Sequence, residues 1–124
     1  MRKLVEAALE NRSARNVFLF RVTCASCGAD YGNRPMLFSK ADTSPTTENE
    51  KTIYSVLYEQ EINIARQAAI RSAAEQMNYC PICKQLVCNQ CFVICYELDM
   101  CARCAAELDQ KGHPVLAAVI DEAI

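Results

Sequence analysis

Eight of the nine cysteines in this 124-residue chain fall into Cys-x-x-Cys pairs. One pair, Cys24/Cys27, lies in VTCASCG; the others, Cys80/Cys83, Cys88/Cys91 and Cys101/Cys104, crowd into YCPICKQLVCNQCFVICYELDMCARCA. Two cysteines separated by two residues can aim both sulfurs at one ion when the backbone turns tightly, so each pair is half of a tetrahedral site. Four pairs make two Cys₄ sites, and structural Zn²⁺, two ions per chain, is the chemistry they point to.

Two other thiol chemistries fit less well. A thioredoxin-like pair opens a helix inside a βαβ unit, whereas only Cys101/Cys104 precedes a short helix and no βαβ pattern surrounds it. The spacings also differ from those of ferredoxin clusters. Cys95 is left over. In FVICYEL, alternation places it with Val93 and Glu97, and a buried free thiol packing as a small hydrophobe is expected, with replacement of a ligand as the alternative. The single histidine, His113, is expected on the surface before Pro114. Closed Cys₄ sites leave no position for water or substrate, and no acid–base or nucleophile constellation accompanies them, so no enzyme is expected.

The intervening segments must position these pairs. Leu4, Val5, Ala8 and Leu9 predict a helix over residues 2–13, within an N-terminal helical region 1–15. VFLFRVT, residues 17–23, predicts a strand entering Cys24; GADYGNRP supplies turns, and MLFS, residues 36–39, returns as partner. Residues 17–39 then form a hairpin with the first cysteine pair near its tip. KADTSPTT, residues 40–47, is a loop whose Thr46 or Thr47 offers an N-cap, followed by Glu48 and Glu50 in a first helical turn.

A long helix is predicted over 46–78. Tyr54, Tyr58, Ile62, Ala65, Ala69, Ala73 and Met77 line one stripe, broadened by Ile53, Leu57, Ile64 and Ala68, with Glu59, Asn63, Gln67, Arg71 and Glu75 opposite. At roughly 45 Å it is longer than a small metal module can cover. It is expected to pack on its own N-terminal helix and hairpin, with a homodimer through the same helix as the second arrangement. Residues 79–111 form the cysteine-rich core, including a helix from about Arg103 stopped by Gly112. A last helix is predicted over 114–124, with Pro114 in its first turn.

The four pairs can be wired in three ways. KQLV, between Cys83 and Cys88, holds no Gly, Asn or Pro, and Leu-Val prefers extended chain. Extended, it spans roughly 16 Å, which disfavours one ion shared by Cys80/Cys83 and Cys88/Cys91 and leaves a sequential and an interleaved wiring.

Cys80-x₂-Cys83-x₄-Cys88-x₂-Cys91, then a strand, then Cys101-x₂-Cys104 opening a helix, resembles the latter part of a FYVE-type cross-brace zinc finger. The resemblance covers about residues 80–108 plus the Cys24/Cys27 pair, and implies a treble-clef layout with interleaved sites. Cys24, Cys27, Cys88 and Cys91 would form site 1, and Cys80, Cys83, Cys101 and Cys104 site 2. The family's basic, His-containing phosphoinositide motif is absent, since EQMNY precedes the second pair, so lipid binding is not implied. RING ubiquitin ligases share the cross-brace but usually place a His among the middle ligands, which this chain does not. A ligase-like role would dock an enzyme at Ile82 and Leu86.

The fold class expected is α+β: one small zinc-stabilised domain, 1–124, with short β-hairpins, an inserted long helix and short terminal helices. Residues 1–40 hold seven basic and three acidic residues, net +4, which leaves −6 for the rest. The cysteine-rich part is therefore not basic, and an adaptor contacting other proteins is the first functional expectation. A nucleic-acid binder is the alternative, using Arg12, Arg15, Arg21 and Arg34, with Phe18, Phe20 or Tyr31 stacking on bases. No apolar run reaches the roughly 18 residues of a membrane span. Glu6 and Glu10 interrupt the basic N-terminus, so no signal peptide and no membrane partner are expected, and a cytoplasmic location follows.

Overall fold

The computed structural model describes residues 1–115 and is a mixed α+β arrangement of short hairpins around one long helix. Helix α1 (Arg2–Ala8) ends earlier than residue 13, because Leu9 is already extended and β1 (Glu10–Asn11) pairs with an open strand edge. The segment 17–23 is two strands, β2 (Val17–Phe18) and β3 (Phe20–Thr23), broken at Leu19. The break has identifiable partners. Leu19 donates its N–H to the Ser13 hydroxyl, and its carbonyl accepts from Arg12 N.

The buried side chain of Asn33 spans the same break, accepting from Phe20 N at 2.9 Å and donating to Phe18 O at 3.1 Å. Strand β3 pairs antiparallel with β4 (Asp30–Gly32), Thr23 opposite Asp30, so the Cys24/Cys27 pair caps this hairpin. Residues read as turn from sequence thus supply the strand. Gly32 is required there, since a Cβ would collide with the Phe20 carbonyl. Met36–Leu37, strand β5, pairs with β2 alone.

Helix α2 (Glu48–Gln76) starts at Thr47, whose hydroxyl accepts from Glu50 N, while the Glu50 carboxylate accepts from Thr46 N at 2.9 Å. This reciprocal cap and the acids of the first turn fix where the helix begins. It packs on α1 and on β3 and β4 of its own chain, with Ala65, Ala69, Ile70 and Ala73 buried. Small alanines let the hairpin backbone come close. The cover is narrow, however, and Ile53 and Ile64, expected to broaden the packed stripe, are 60% and 58% exposed.

Two apolar clusters share the helix. Around its N-terminal half the rings of Phe18, Phe38, Tyr54 and Tyr58 meet edge to face, with centroids 5.0–5.8 Å apart. Around its C-terminal end, Val5, Val22, Ile70, Met77, Val87, Phe92 and Met100 surround the cysteines.

At Met77 the chain passes straight into β6 (Met77–Tyr79), which pairs with β7 (Leu86–Cys88) and carries Cys80 and Cys83 at the turn between them. A 3₁₀ turn (Asn89–Cys91) leads to β8 (Phe92–Cys95), flanked by β9 (Met100–Cys101) and β10 (Gly112–Pro114). Helix α3 (Ala102–Glu107) follows β9 directly. Gly112 and Pro114 therefore belong to a strand beside β8, and the helix expected over 114–124 falls largely outside the described residues. No helix among the described residues is long and apolar enough to cross a membrane.

Replacing Phe38, fully buried among three rings, with Ala is expected to destabilise the metal-loaded chain by about 3–5 kcal/mol. Chemical denaturation followed by circular dichroism measures it.

Candidate metal centres

The structure gathers Cys24, Cys27, Cys88 and Cys91 in one group and Cys80, Cys83, Cys101 and Cys104 in another, with the sulfurs of each group within 4.8 Å of one another. The pairs therefore interleave along the chain. All nine cysteines are free thiols. Between pairs, Cys27 Sγ lies 3.7 Å from Cys88 Sγ and Cys83 Sγ 3.8 Å from Cys101 Sγ. Thiolates at ~2.3 Å from a tetrahedral ion stand about 3.8 Å apart, whereas a disulfide brings them to ~2.05 Å. The donor sets fit two metal ions.

One backbone device presents the first two ligands of each site. Gly28 N bonds to Cys24 O at 3.0 Å and Lys84 N to Cys80 O at 2.8 Å, closing a tight turn around each pair. Cys24 N to Ala29 O and Cys80 N to Gln85 O complete the two knuckles. The residue after the second cysteine is left-handed in both, with φ 77° at Gly28 and 60° at Lys84. The expectation that KQLV runs extended from Cys83 fails at its first residue: the knuckle's hydrogen bonds hold Lys84 in a conformation that suits glycine. Only Leu86 and Val87 are strand.

The second half of each site is built differently. Cys88 ends β7 and Cys91 ends the 3₁₀ turn, whereas Cys101 caps α3 and Cys104 lies in its first turn. Ala25 N bonds to Leu86 O at 3.0 Å and ties the first knuckle to the strand that delivers Cys88. Across the halves, Cys88 N donates to Cys24 Sγ at 3.2 Å and Cys101 N to Cys80 Sγ at 3.3 Å. The same N–H···S link therefore recurs in both sites.

These donors prepare the sulfurs. Burial pushes the Cys24 thiol up, but the N–H groups of Cys27, Cys88 and Ser26 outweigh it and bring the thiol down to about 6. Cys80 behaves alike: against burial, the N–H groups of Cys101, Cys83 and Ile82 bring it to about 6. Their neighbours move the other way. Burial and hydrogen bonds to Cys27 and Cys88 push Cys91 up, and the bond to Cys101 and burial push Cys104 to about 12. Each site thus offers one ready thiolate beside thiols that keep their protons until a cation arrives.

Tyr31, read from sequence as part of a turn, stands on β4 beside the first site. Its hydroxyl is held protonated by a hydrogen bond with Cys88 and by burial. Nothing in its spacing marked it; its proximity comes from the β3–β4 register. Cys95 is buried in β8 and belongs to neither group, and His113 is exposed on β10, also outside both.

Two of the four arginines expected to meet nucleic acid already have partners within the chain. Arg12 is engaged by Asp30 at 2.7 Å and Glu10 at 2.9 Å, and Arg21 by the Phe20 and Asn33 carbonyls. Phe18 and Phe20 are buried, whereas Arg15 and Arg34 are exposed. Searched against protein families, curated proteins and solved structures, the chain matches none.

Two outcomes follow. Lys84→Gly is expected to stabilise the chain by about 1 kcal/mol, and Gly28→Ala to destabilise it by a similar amount, since both act on a left-handed residue; denaturant midpoints read both. The depressed values at Cys24 and Cys80 favour the folded chain above the ordinary thiol range, and that contribution is lost as pH falls through about 6. Metal uptake near neutral pH should accordingly release at least two protons per ion and weaken steeply below that pH. Calorimetry in buffers of different ionisation enthalpy counts the protons.

Proposed function

We propose that the chain is a structural zinc protein that serves as an adaptor for other proteins. One Zn²⁺ is held by Cys24, Cys27, Cys88 and Cys91, and the other by Cys80, Cys83, Cys101 and Cys104. The carrying observation is that four convergent sulfurs close each site, leaving no open position at the metal. Zinc suits a closed tetrahedral thiolate set with no geometric demand of its own. The crossed wiring supports kinship of architecture with FYVE-type cross-brace modules.

Such ions act through the surface they hold in shape, and the role is non-catalytic. Around the second site that surface includes outward Ile82 and the turn after β8, where Tyr96 is 99% exposed beside exposed Leu98. The alternative, nucleic-acid binding, draws less support. Arg12 and Arg21 are already engaged, two of the three aromatics proposed for stacking are buried, and residues 41–124 are acidic overall. Free thiols kept as ligands suit a reducing compartment, so we place the adaptor in the cytoplasm.

Elemental analysis of the purified chain is expected to find two zinc ions, with Cys24→Ser and Cys101→Ser each losing one. Iron in their place, or a fold indifferent to chelator, would refute the reading. Labelled DNA and RNA at low salt are expected to bind more weakly than about 10 µM. Tight binding that falls steeply with added salt would favour the nucleic-acid alternative instead.

A further inference from the structure

Helix α2 turns Ala65, Ala69 and Ala73 toward the hairpins, and on its opposite face Ile53, Val56 and Ile64 stand 60%, 48% and 58% exposed. With Leu57, Gln60 and Gln67 they form a single stripe at three-to-four spacing. No charged residue falls on that stripe between Glu50 at one end and Arg71 at the other. Scattered exposed apolar side chains are ordinary, but a charge-free stripe across five helical turns is not. Beside its N-terminal half lies a pocket of about 130 Å³, its floor formed by Pro45, Ile53, Tyr54 and Leu57 with Thr43, and its rim carrying the opposite charges of Lys40 and Glu50.

We propose that this stripe pairs with the same stripe of a second copy, antiparallel, about a two-fold axis near Gln60. The inference rests on the reading of the chain as a protein-contact scaffold, and names its partner. The projecting Ile64 and the pocket at Leu57 lie on one helix, two turns or roughly 10 Å apart. A two-fold operation brings Ile64 of the second copy opposite Ile53 and Leu57, at the pocket mouth, and by symmetry does so twice.

Charge selects the same orientation. Antiparallel pairing brings Glu50 of each copy toward Arg71 of the other, whereas parallel pairing would set Glu50 against Glu50 and Arg71 against Arg71. Near the axis the two Gln60 amides can donate to and accept from each other. Ala68, on the edge of the stripe, lets the backbones approach.

Native mass spectrometry and sedimentation equilibrium of the metal-loaded full chain test this at tens of micromolar. A dimer is expected, and Ile64→Glu, at an exposed position, should weaken it about 100-fold by burying an unpaired charge while each chain keeps its metal. Arg71→Glu should also weaken it, whereas Arg71→Lys, which keeps the charge, should leave it unchanged. A dimer indifferent to Ile64→Glu would overturn the proposal, as would one weakened as much by Arg71→Lys as by Arg71→Glu. Metal content in the same spectra separates the two readings: a monomer carrying its full complement of ions overturns the pairing alone.

Discussion

Four sulfurs held within 4.8 Å cannot all be ionised unless a cation sits among them. At an effective dielectric of about 20, each pair of thiolates at that range repels by roughly 4 kcal/mol, and a tetrahedron contains six such pairs. The sum exceeds the 5–15 kcal/mol that typically holds a whole domain together. Burial and hydrogen bonds to neighbouring cysteines, with repulsion as the smallest contribution, raise Cys91, and the bond to Cys101 followed by burial raises Cys104. The knuckle turns and the N–H groups aimed at the Cys24 and Cys80 sulfurs fit half of an interaction that a dication would complete.

The same constraint explains why the two ends of α2 are held so differently. Its N-terminal half closes against aromatic rings that bury large areas and need no help. Its C-terminal end offers Ile70, Ala73 and Ala74 to a cluster in which cysteines replace much of the aliphatic bulk. Alanine and cysteine bury little each, so the packing there is too thin to order three short hairpins unaided. Metal–sulfur bonds at the two Cys₄ groups would substitute for missing core. Such bonds would also join separate segments, since each site sets one knuckle against a cysteine pair carried by a different element.

Much of this was legible in the sequence because ligand chemistry is local. A Cys-x-x-Cys pair announces half of a metal site whether a knuckle, a 3₁₀ turn or a helix start carries it, and the Thr47/Glu50 cap marked the start of α2 within two residues. What stayed hidden depended on contacts between distant segments. Asn33 splits residues 17–23 into two strands through hydrogen bonds to Phe18 and Phe20, and nothing in VFLFRVT foretells that. Lys84 adopts a glycine-like turn because the knuckle compels it, overriding the local preference of KQLV. Gly112–Pro114 reads as a helix boundary, yet joins β8 because that strand's edge was open. Wiring was intermediate: spacing narrowed it to two choices, and only the resemblance to a cross-brace preferred one.

The outward stripe of α2 follows from the same geometry. The hairpins must stay close to the knuckles they carry, and short two- and three-stranded ladders cover only one side of a 29-residue helix. That helix runs without a break into β6 and on to Cys80, so the second metal site anchors its C-terminal end while the rings anchor its N-terminal half. The backbone of its uncovered face is therefore tied down at both ends before anything touches it. A helix already formed has little backbone freedom to lose when a partner binds, which is a condition under which a modest apolar stripe can sustain association. The metal ions, sealed by their own ligands, would shape such a contact without taking part in it.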